Sequence, residues 1–381
     1  MIYLDYAAAT PIDQRVLDAE EPYFRERFFN PSASYQAARE VRRDYEEARH
    51  VLAQNLGARP AEIVITAGAT ESTNLAIGGV SGHIVTTNIE HPAVLALASA
   101  RNATILPVNE KGLVNPASVE NAITDETEIV SVGYANSEIG TVQPIKEIAI
   151  LIERIRADRA SREVATPLLF HTDASQAAGY LDLNVARLNV DLMTLNAGKC
   201  YGPKQVGLLY VKAGVRLKPL ILGGGQEMGL RSGTENVTGA IGFARALEIA
   251  ERKRKGESER LEKLRNDLEK FIKQEFPEVI INSGAKQRLP NILNFSVPGL
   301  DGERAVFALD ERDVLVATGS ACAANKGTRS HVLMAIGLAP QIADASLRIS
   351  LGRPTTDAEI SELKPLLAET IRQQLKFGVQ Q

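Results

Sequence analysis

Short apolar runs alternate with longer stretches of mixed polarity in the first half of the chain. The runs cover residues 63–66, 83–87, 103–108, 129–132, 168–170, 192–195 and 206–211, and each is typical of a buried strand. The stretches between them predict helices that begin near residues 70, 92, 116 and 144. A heavily charged helical pattern also covers residues 34–55, before the first of these runs. Alternating strands and helices indicate a mainly parallel sheet flanked by helices, so we predict an α/β fold.

The pattern changes after Asn236. One helical stretch covers residues 236–276, and apolar runs follow at 279–281, 292–297, 314–318 and 347–351. Helical patterns lie among them at 302–310 and 330–336, and residues 357–376 predict a final amphipathic helix. We therefore predict a large domain over residues 14–250 and a smaller α+β domain made of residues 1–13 and 251–381.

Composition and charge exclude several classes of protein. Of the 381 residues, 44% are apolar, which is enough for sizeable cores. Acidic and basic residues nearly balance at a net charge of -4, so nothing indicates a nucleic-acid ligand. The sequence shows neither a signal peptide nor a run long enough to span a membrane. Because the only cysteines are Cys200 and Cys322, we expect no disulfide framework, no intrinsic metal site and a cytoplasmic location.

One lysine lies in a tight loop between two apolar runs. Lys199 follows Gly198 and precedes Cys-Tyr-Gly-Pro-Lys, and the glycines and proline indicate a loop. A lysine that is desolvated in such a loop has a lowered pKa and becomes a nucleophile for carbonyl compounds. The alternative is a side chain that extends to water, which is the commoner case for a single lysine.

Three polar positions directly follow predicted strands, where ligands collect in parallel sheets. The turn Gly68-Ala69-Thr70 precedes a helix, so it fits either phosphate binding or helix capping by Thr70. His91 fits ring stacking, proton transfer or a structural role. Asp173 fits a partner for a pyridinium nitrogen or a helix N-cap.

Two further candidates lie near the C-terminus. Cys322 lies among small and polar residues, with Lys326 and Arg329 nearby, a setting that favours an exposed thiolate nucleophile. Arg348 lies within an apolar run and needs an anionic partner. That partner is either an internal Asp or Glu or the carboxylate of a substrate.

The order of these motifs resembles that of a known family. The segments are LDYAAAT, GATES, EHPAV, ANSEIGTVQPI, HTDASQAAG, YGPK, GGGQEMGLRSGTENV, RLPNILNFS, TGSAC, SHVLMAIGL and SLRISLGR. Together they resemble the cysteine desulfurases of the NifS/IscS type, which are pyridoxal-phosphate (PLP) enzymes of aminotransferase fold type I. The resemblance spans nearly the whole chain, and it implies this two-domain fold.

The resemblance also implies the residues that surround the cofactor. They are Ala69, Thr70, His91, Asp173, Gln176, Asn196, Lys199 and Thr234. Lys199 is the expected Schiff-base lysine, Asp173 the partner of the pyridinium nitrogen, and Gln176 a donor to the phenolic oxygen. Ala69, Thr70 and Asn196 are expected at the phosphate, while His91 stacks on the ring and takes part in catalysis. Thr234 is expected to reach the phosphate of a second subunit, which implies a homodimer.

The implied reaction converts L-cysteine to L-alanine. Asn136 and Arg348 are expected to bind the substrate carboxylate, and Cys322 is expected to take the sulfur as a persulfide. The expected sulfur acceptor is an iron–sulfur scaffold protein, with Cys322 as a possible transient cluster ligand there. Two alternatives stay open at this point: a selenocysteine lyase, and a scaffold-bound sulfur carrier with little turnover.

The lysine loop departs from the family pattern. Asn196, Ala197 and Gly198 stand where a serine, a small residue and a histidine are usual, and Cys200 replaces a common isoleucine. The usual serine and histidine help to bind phosphate. Because Gly198 has no side chain to do so, we predict weaker cofactor retention than is usual.

Overall fold

The structure is a computed structural model that describes residues 1–319 and 329–378. The helices in these ranges are α1 (Gln14–Glu20), α2 (Pro22–Arg25), α3 (Gln36–Leu56), α4 (Ala69–Gly78), α5 (Pro92–Ser99), α6 (Pro116–Ala122), α7 (Ile145–Ser161), α8 (Val185–Leu188), α9 (Val237–Glu275), α10 (Gly302–Asp310), α11 (His331–Ala335), α12 (Pro340–Asp344) and α13 (Asp357–Gly378). Short 3₁₀ turns cover Pro60–Glu62, Ala197–Lys199 and Glu227–Gly229. The four helices α1, α2, α8 and α12 have no counterpart in the predictions from the sequence, and each is at most seven residues long.

The strands form three sheets. They are β1 (Ile2–Tyr3), β2 (Ile63–Thr66), β3 (His83–Thr87), β4 (Ala103–Leu106), β5 (Thr127–Ser131), β6 (Leu169–Asp173), β7 (Leu192–Asn196), β8 (Gly207–Val211), β9 (Ile280–Ile281), β10 (Ile292–Ser296), β11 (Val314–Leu315) and β12 (Ser346–Ser350). The main sheet has seven strands in the order β2-β8-β7-β6-β5-β3-β4.

The main sheet is mostly parallel, which confirms the predicted α/β class. Strands β4, β3, β5, β6 and β7 pair in parallel, while β8 runs antiparallel to both β7 and β2. As a result β2 has the same direction as β7, and the carboxyl ends of β2, β3, β5, β6 and β7 share one edge. Every residue of β2, β3 and β8 is buried, which explains the nearly continuous apolar sequences of β2 and β8.

Two hydrophobic cores account for most of the packing. One includes α3, α7 and the first part of α9 together with one face of the main sheet, and Phe170 and Phe243 are fully buried in it. The second joins the end of α9 to β10, β12 and α13, with Phe295 at its centre. Helix α9 runs through both, as expected of the long helical stretch 236–276. The domain boundary between residues 250 and 251 stays a prediction.

The N-terminal segment links these two regions. Ile2 and Tyr3 pair with Val314 and Leu315, and the chain then runs beside β12 through a bridge between Asp5 and Ser350. Its next residues cross over the edge of the main sheet. None of the described helices is long and apolar enough to cross a membrane.

Candidate active site

A cavity of about 270 Å³ opens at the shared carboxyl edge of the main sheet. Loops that follow five of its strands form the walls, and β12 and α11 close the far side. Among the predicted site residues, those that line it are Ala69, Thr70, His91, Asn136, Asp173, Gln176, Asn196, Lys199 and Arg348. The structure therefore brings together residues that are up to 279 positions apart in the sequence.

The turn after β2 presents a helix N-terminus to the cavity. Gly68 has a φ of 143°, a conformation that side chains disfavour, and α4 begins at the next residue. Gly68 gives α4 no side-chain cap, so the first N–H groups at Ala69 and Thr70 lie exposed at the positive end of the helix dipole. Such a terminus is suited to a phosphate group.

His91 lies on the wall after β3 and caps α5. Its Nδ1 accepts a hydrogen bond from the Ala93 N–H at 3.1 Å, so a neutral ring carries its proton on Nε2. The ring is open to the cavity, but the surrounding protein removes enough water to lower its pKa. The Asp173 carboxylate opposes this decrease, while Lys199 and His331 add to it. The imidazole is therefore neutral at neutral pH.

Glu90 lines the same wall, and the sequence motifs predict no role for it. Its carboxylate accepts hydrogen bonds from Thr87 Oγ1 at 2.7 Å and from the Gly133 N–H at 3.0 Å. Burial raises the pKa of this carboxyl to about 7. Glu90 therefore ties the loops after β3 and β5 together immediately beside His91.

Asp173 ends β6 and lines the cavity. Its Oδ1 accepts a hydrogen bond from the Ser175 N–H at 2.9 Å, and the next helix begins only at Val185. This excludes the helix N-cap that the sequence left open. Behind it, His171 is fully buried between Ser131 and Thr194, and burial lowers its pKa to about 4. His171 is a structural residue of the sheet.

Lys199 is half-buried and its amine lies against the N-terminal segment. Nζ donates hydrogen bonds to the carbonyl oxygens of Ala7 at 2.8 Å and Ala8 at 2.6 Å. Gln176 Nε2 donates to the same Ala7 oxygen at 3.0 Å. The side chain thus points into the cavity, and the alternative of a lysine extending to bulk water is wrong.

Three residues near Lys199 depart from the family pattern, and each lies in a different environment. Asn196 lines the cavity and accepts the Gly198 N–H through Oδ1 at 3.0 Å, which leaves its amide N–H groups for a ligand. A Cβ added at Gly198 comes no closer than 3.4 Å to another atom, the Asn196 Oδ1. Cys200 points away into the core and is 1% exposed, and burial raises the pKa of its thiol to about 12. It is inert as a nucleophile.

Arg348 is 1% exposed and has an internal anionic partner. Its Nη2 donates to Asp5 Oδ1 at 2.6 Å, and Nη1 donates to the Ser137 carbonyl at 3.2 Å. Asn136 lies beside Ser137 and is fixed by hydrogen bonds to the Ile89 carbonyl and from the Glu138 N–H. The sequence left open whether the anionic partner of Arg348 is an internal carboxylate or that of a substrate. The structure shows that Asp5 is an internal partner and that Arg348 also lines the cavity.

Glu138 is a second residue without a role in the sequence motifs. It is 2% exposed, lines the cavity and accepts a hydrogen bond from Ser330 Oγ. It also lies near Gly319, since a Cβ added there would lie 3.2 Å from Glu138 Oε2. The ANSEIG motif contains this residue, but only the tertiary structure reveals its contacts.

Two predicted site residues do not line the cavity. Thr234 is exposed, and it precedes α9 away from the cavity of its own chain. Cys322 lies outside the described residues, so its predicted role rests on the sequence. No group of metal-binding side chains occurs within residues 1–319 and 329–378.

The chemical groups that line this cavity fit PLP. A helix N-terminus suits a phosphate, a carboxylate suits a protonated ring nitrogen, and a lysine amine suits an aldehyde. The helix N-terminus is at Ala69 and Thr70, the carboxylate belongs to Asp173, and the amine belongs to Lys199. All four residues line the same cavity. His91 adds a neutral flat ring beside them.

Comparisons with known proteins agree with this geometry. The family model for aminotransferase class-V matches residues 2–363. Cysteine desulfurase IscS from Clostridium botulinum (strain Hall) is 41% identical over 99% of this chain and 96% of that protein. Cysteine desulfurase IscS 1 from Archaeoglobus fulgidus is 38% identical over 97% of both chains.

Solved structures show the same likeness. A NifS-like protein superposes with a TM-score of 0.89 at 33% identity, covering 97% of this chain and 99% of that one. A second structure, SspA in complex with cysteine, has a TM-score of 0.77 at 36% identity over 92% and 99% of the two chains. The chain belongs to the aminotransferase class-V family, whose cofactor is PLP. Within that family it belongs to the cysteine desulfurases of the NifS/IscS type.

Proposed function

We propose that this protein removes sulfur from L-cysteine, releases L-alanine and holds the sulfur on Cys322 as a persulfide for iron–sulfur cluster assembly. One observation carries the proposal: a lysine amine, a carboxylate, a helix N-terminus and a buried arginine meet in one cavity. The family relationship supports the same activity.

The residues around the cofactor divide by the part of PLP they would bind. The N–H groups of Ala69 and Thr70, with the amide of Asn196, would hold the phosphate. Asp173 would keep the ring nitrogen protonated, and His91 would cover the ring. Bound PLP supplies an electron sink for the substrate's carbon atoms.

The substrate is held by its carboxylate. Arg348 has more N–H donors than Asp5 and Ser137 take up, and a guanidinium matches a carboxylate in shape and charge. Asn136 retains one amide hydrogen beyond its bond to Ile89. Together they would fix the α-carbon near the Lys199 amine.

Lys199 would move the proton of the α-carbon. Its amine lies on the cavity wall between the N-terminal segment and Gln176, where it shares the Ala7 carbonyl oxygen as acceptor. Gln176 would also donate to the phenolic oxygen of the cofactor. Because Ala7 and Ala8 hold Nζ in place, the amine is oriented before substrate arrives.

Cys322 would complete the reaction as a nucleophile. Its thiolate attacks the sulfur of the substrate, a sulfur–sulfur bond forms, and the bond between that sulfur and the substrate β-carbon breaks. The electron pair of the broken bond stays with the substrate, which takes up a proton and leaves as L-alanine. The persulfide left on Cys322 then passes its outer sulfur to an acceptor thiol.

The test is mass spectrometry of the holoenzyme after L-cysteine treatment, together with an assay of L-alanine. The wild type is expected to gain one sulfur atom at Cys322, and the Lys199→Ala variant is expected to lose turnover. Cys322→Ala is expected to keep the cofactor absorbance but to form neither persulfide nor alanine. Cys200→Ala serves as the matched control, because its buried thiol takes no part and turnover is expected to persist.

Three results would contradict the proposal. They are sulfur located on Cys200, alanine released by Cys322→Ala, and a wild-type protein that binds PLP but releases no alanine. The third result would indicate a sulfur carrier instead. Faster turnover of selenocysteine than of cysteine would indicate a selenocysteine lyase.

The proposed assembly is a homodimer that passes sulfur to an iron–sulfur scaffold protein in the cytoplasm. Thr234 is exposed, and the residues just before it are joined to the segment 221–226 by hydrogen bonds from the Ser232 N–H to the Ile221 carbonyl and from the Gly233 N–H to Gln226 Oε1. Large apolar side chains of this stretch face solvent, including Leu222 and Met228, which are 80% and 49% exposed. A bridge between Ile221 and Arg231 lies beside this segment. An apolar surface next to a predicted cofactor-binding threonine supports its burial against a second copy.

A further inference from the structure

The ion pair between Asp5 and Arg348 joins the N-terminal segment to the wall of the substrate cavity. Asp5 Oδ1 lies 2.6 Å from Arg348 Nη2, and the two side chains are 19% and 2% exposed. Arg348 lines the cavity, whereas Asp5 is absent from its walls. The carboxylate therefore contacts the guanidinium from outside the space that a substrate occupies.

The guanidinium of Arg348 has few hydrogen-bond acceptors, although its backbone is fixed within β12. Its backbone pairs with Ala317 in both directions, but within the described residues the guanidinium donates only to Asp5 and to the Ser137 carbonyl. Nε is buried and has no hydrogen-bond acceptor within the described residues. Without Asp5, a buried cation would lack a charged partner until substrate bound, which is costly.

Asp5 is itself fixed by the fold. Its backbone forms a bridge with Ser350, two positions after Arg348 on the same strand, and the Ala7 N–H donates to Ser350 Oγ at 2.9 Å. Its carbonyl accepts the hydroxyl of Tyr3 at 2.9 Å. Because the backbone of Asp5 is anchored in this way, its carboxylate can set the orientation of the Arg348 guanidinium.

We propose that Asp5 is a positioning residue for substrate binding: it orients the Arg348 guanidinium so that its remaining N–H groups receive the substrate carboxylate. The inference rests on the proposed function, because it assumes that Arg348 binds that carboxylate. Asp5 touches no substrate and acts only through the arginine. It preorganises the site, so that less freedom is lost when cysteine binds.

The test compares steady-state kinetics of holoenzyme variants. Asp5→Asn keeps the size of the side chain and removes its charge. We expect KM for L-cysteine to rise about tenfold with kcat changed less than about twofold, because a charge-assisted contact to the binding group is lost. The affinity for L-alanine, measured from the cofactor absorbance, should fall in parallel while PLP retention is unchanged.

A matched control is available in the same segment. Asp13 pairs with Arg353 at 3.3 Å and with Arg15 at 2.7 Å, and neither the aspartate nor these arginines line the cavity. Asp13→Asn therefore removes an aspartate–arginine pair without touching the site. Its KM should stay within about twofold of the wild type. An equal rise in KM for Asp13→Asn would overturn the proposal, because the effect would then be a general loosening of the segment.

A double-mutant cycle separates this inference from the proposed function. Arg348→Gln should raise KM strongly, and adding Asp5→Asn should cause no further rise, because Asp5 acts only through Arg348. If Arg348→Gln leaves KM unchanged, the proposed substrate role of Arg348 fails. If Arg348→Gln raises KM but Asp5→Asn does not, only the positioning role fails.

Two further outcomes are decisive. A lower KM in Asp5→Asn would show that Asp5 competes with the substrate for the arginine, which contradicts the proposal. Should Asp5→Asn fail to fold, Asp5→Glu retains the charge at a displaced position. An increase in its KM without a change in kcat would support the positioning role, and an unchanged KM would overturn it.

Discussion

Gly198 shows how one missing side chain affects a binding site. The position directly precedes Lys199, and its carbonyl accepts hydrogen bonds from the Thr10 N–H and from Thr10 Oγ1 at 3.1 Å, so its backbone is fixed. An added Cβ would make ordinary van der Waals contacts, with Asn196 Oδ1 at 3.4 Å and with Lys204 Cγ at 3.8 Å, and would clash with neither. Its conformation therefore allows a larger residue.

We predict that Gly198→His binds PLP more tightly than the wild type. The imidazole adds a hydrogen-bond donor near Asn196, and a polar contact of this kind contributes about 0.5–1.5 kcal/mol, which is roughly two- to tenfold in affinity. The measurement is a spectral titration of the cofactor-free protein with PLP. Gly198→Ala is the control, since it stiffens the backbone without adding a donor. Equal affinities for all three proteins would contradict the prediction.

Arg348 shows which part of a buried contact the sequence can predict. An arginine inside an apolar strand needs an anion, and that inference required no structure. Which anion it meets depends on Asp5, which is 343 positions away. Only the pairing of the N-terminal segment with β12 brings the two together.

At the scale of elements, a buried carboxylate connects the loop before α9 to α3 and β2. Glu227 accepts hydrogen bonds from the Tyr45 hydroxyl, from both terminal nitrogens of Arg49 and from the Ile65 N–H, all between 2.6 and 2.7 Å. The Glu227 and Arg49 side chains are 3% and 7% exposed. This network fixes the segment that leads to Thr234.

We predict that Glu227→Gln lowers the free energy of unfolding by about 3–5 kcal/mol, because it removes the buried anionic partner of Arg49 and leaves only the half-exposed Glu46. The measurement is urea unfolding at one fixed protein concentration. Glu46→Gln is the matched control: Glu46 contacts the same arginine at 3.0 Å, but its side chain is 47% exposed. That variant should lose less than about 1 kcal/mol. Equal losses in the two variants would contradict the argument.

The long, strongly patterned elements were predictable, whereas four of the short helices were not. Apolar runs gave the positions of most main strands. The capping residues before α5 and α6, and the proline at the first position of each helix, marked their starts. Helices α1, α2, α8 and α12 are too short for a periodic pattern to stand out. Tertiary packing decides whether such turns form.

At the scale of the whole molecule, the exposed apolar surface around Leu222 predicts an assembly of two chains. Leu222→Glu is expected to convert a dimer into monomers, because a buried charge opposes association. PLP retention should weaken as a result, because Thr234 is proposed to bind the phosphate of the second subunit. Ile150 is 71% exposed on α7, so Ile150→Glu is the matched control and should remain a dimer. Sedimentation and cofactor absorbance measure the two effects. A Leu222→Glu protein that stays dimeric and retains PLP would contradict this prediction.

The sequence by itself determined the fold class, the order of the main elements and the identity of the candidate groups. These depend on local periodicity, turn residues and motif order, all of which are written along the chain. The tertiary structure alone decided that Lys199 rests on the carbonyls of Ala7 and Ala8, that Cys200 is buried, and that Asp5 is the partner of Arg348. These features depend on contacts between distant segments, and the burial and charge they create cannot be read from neighbours in sequence.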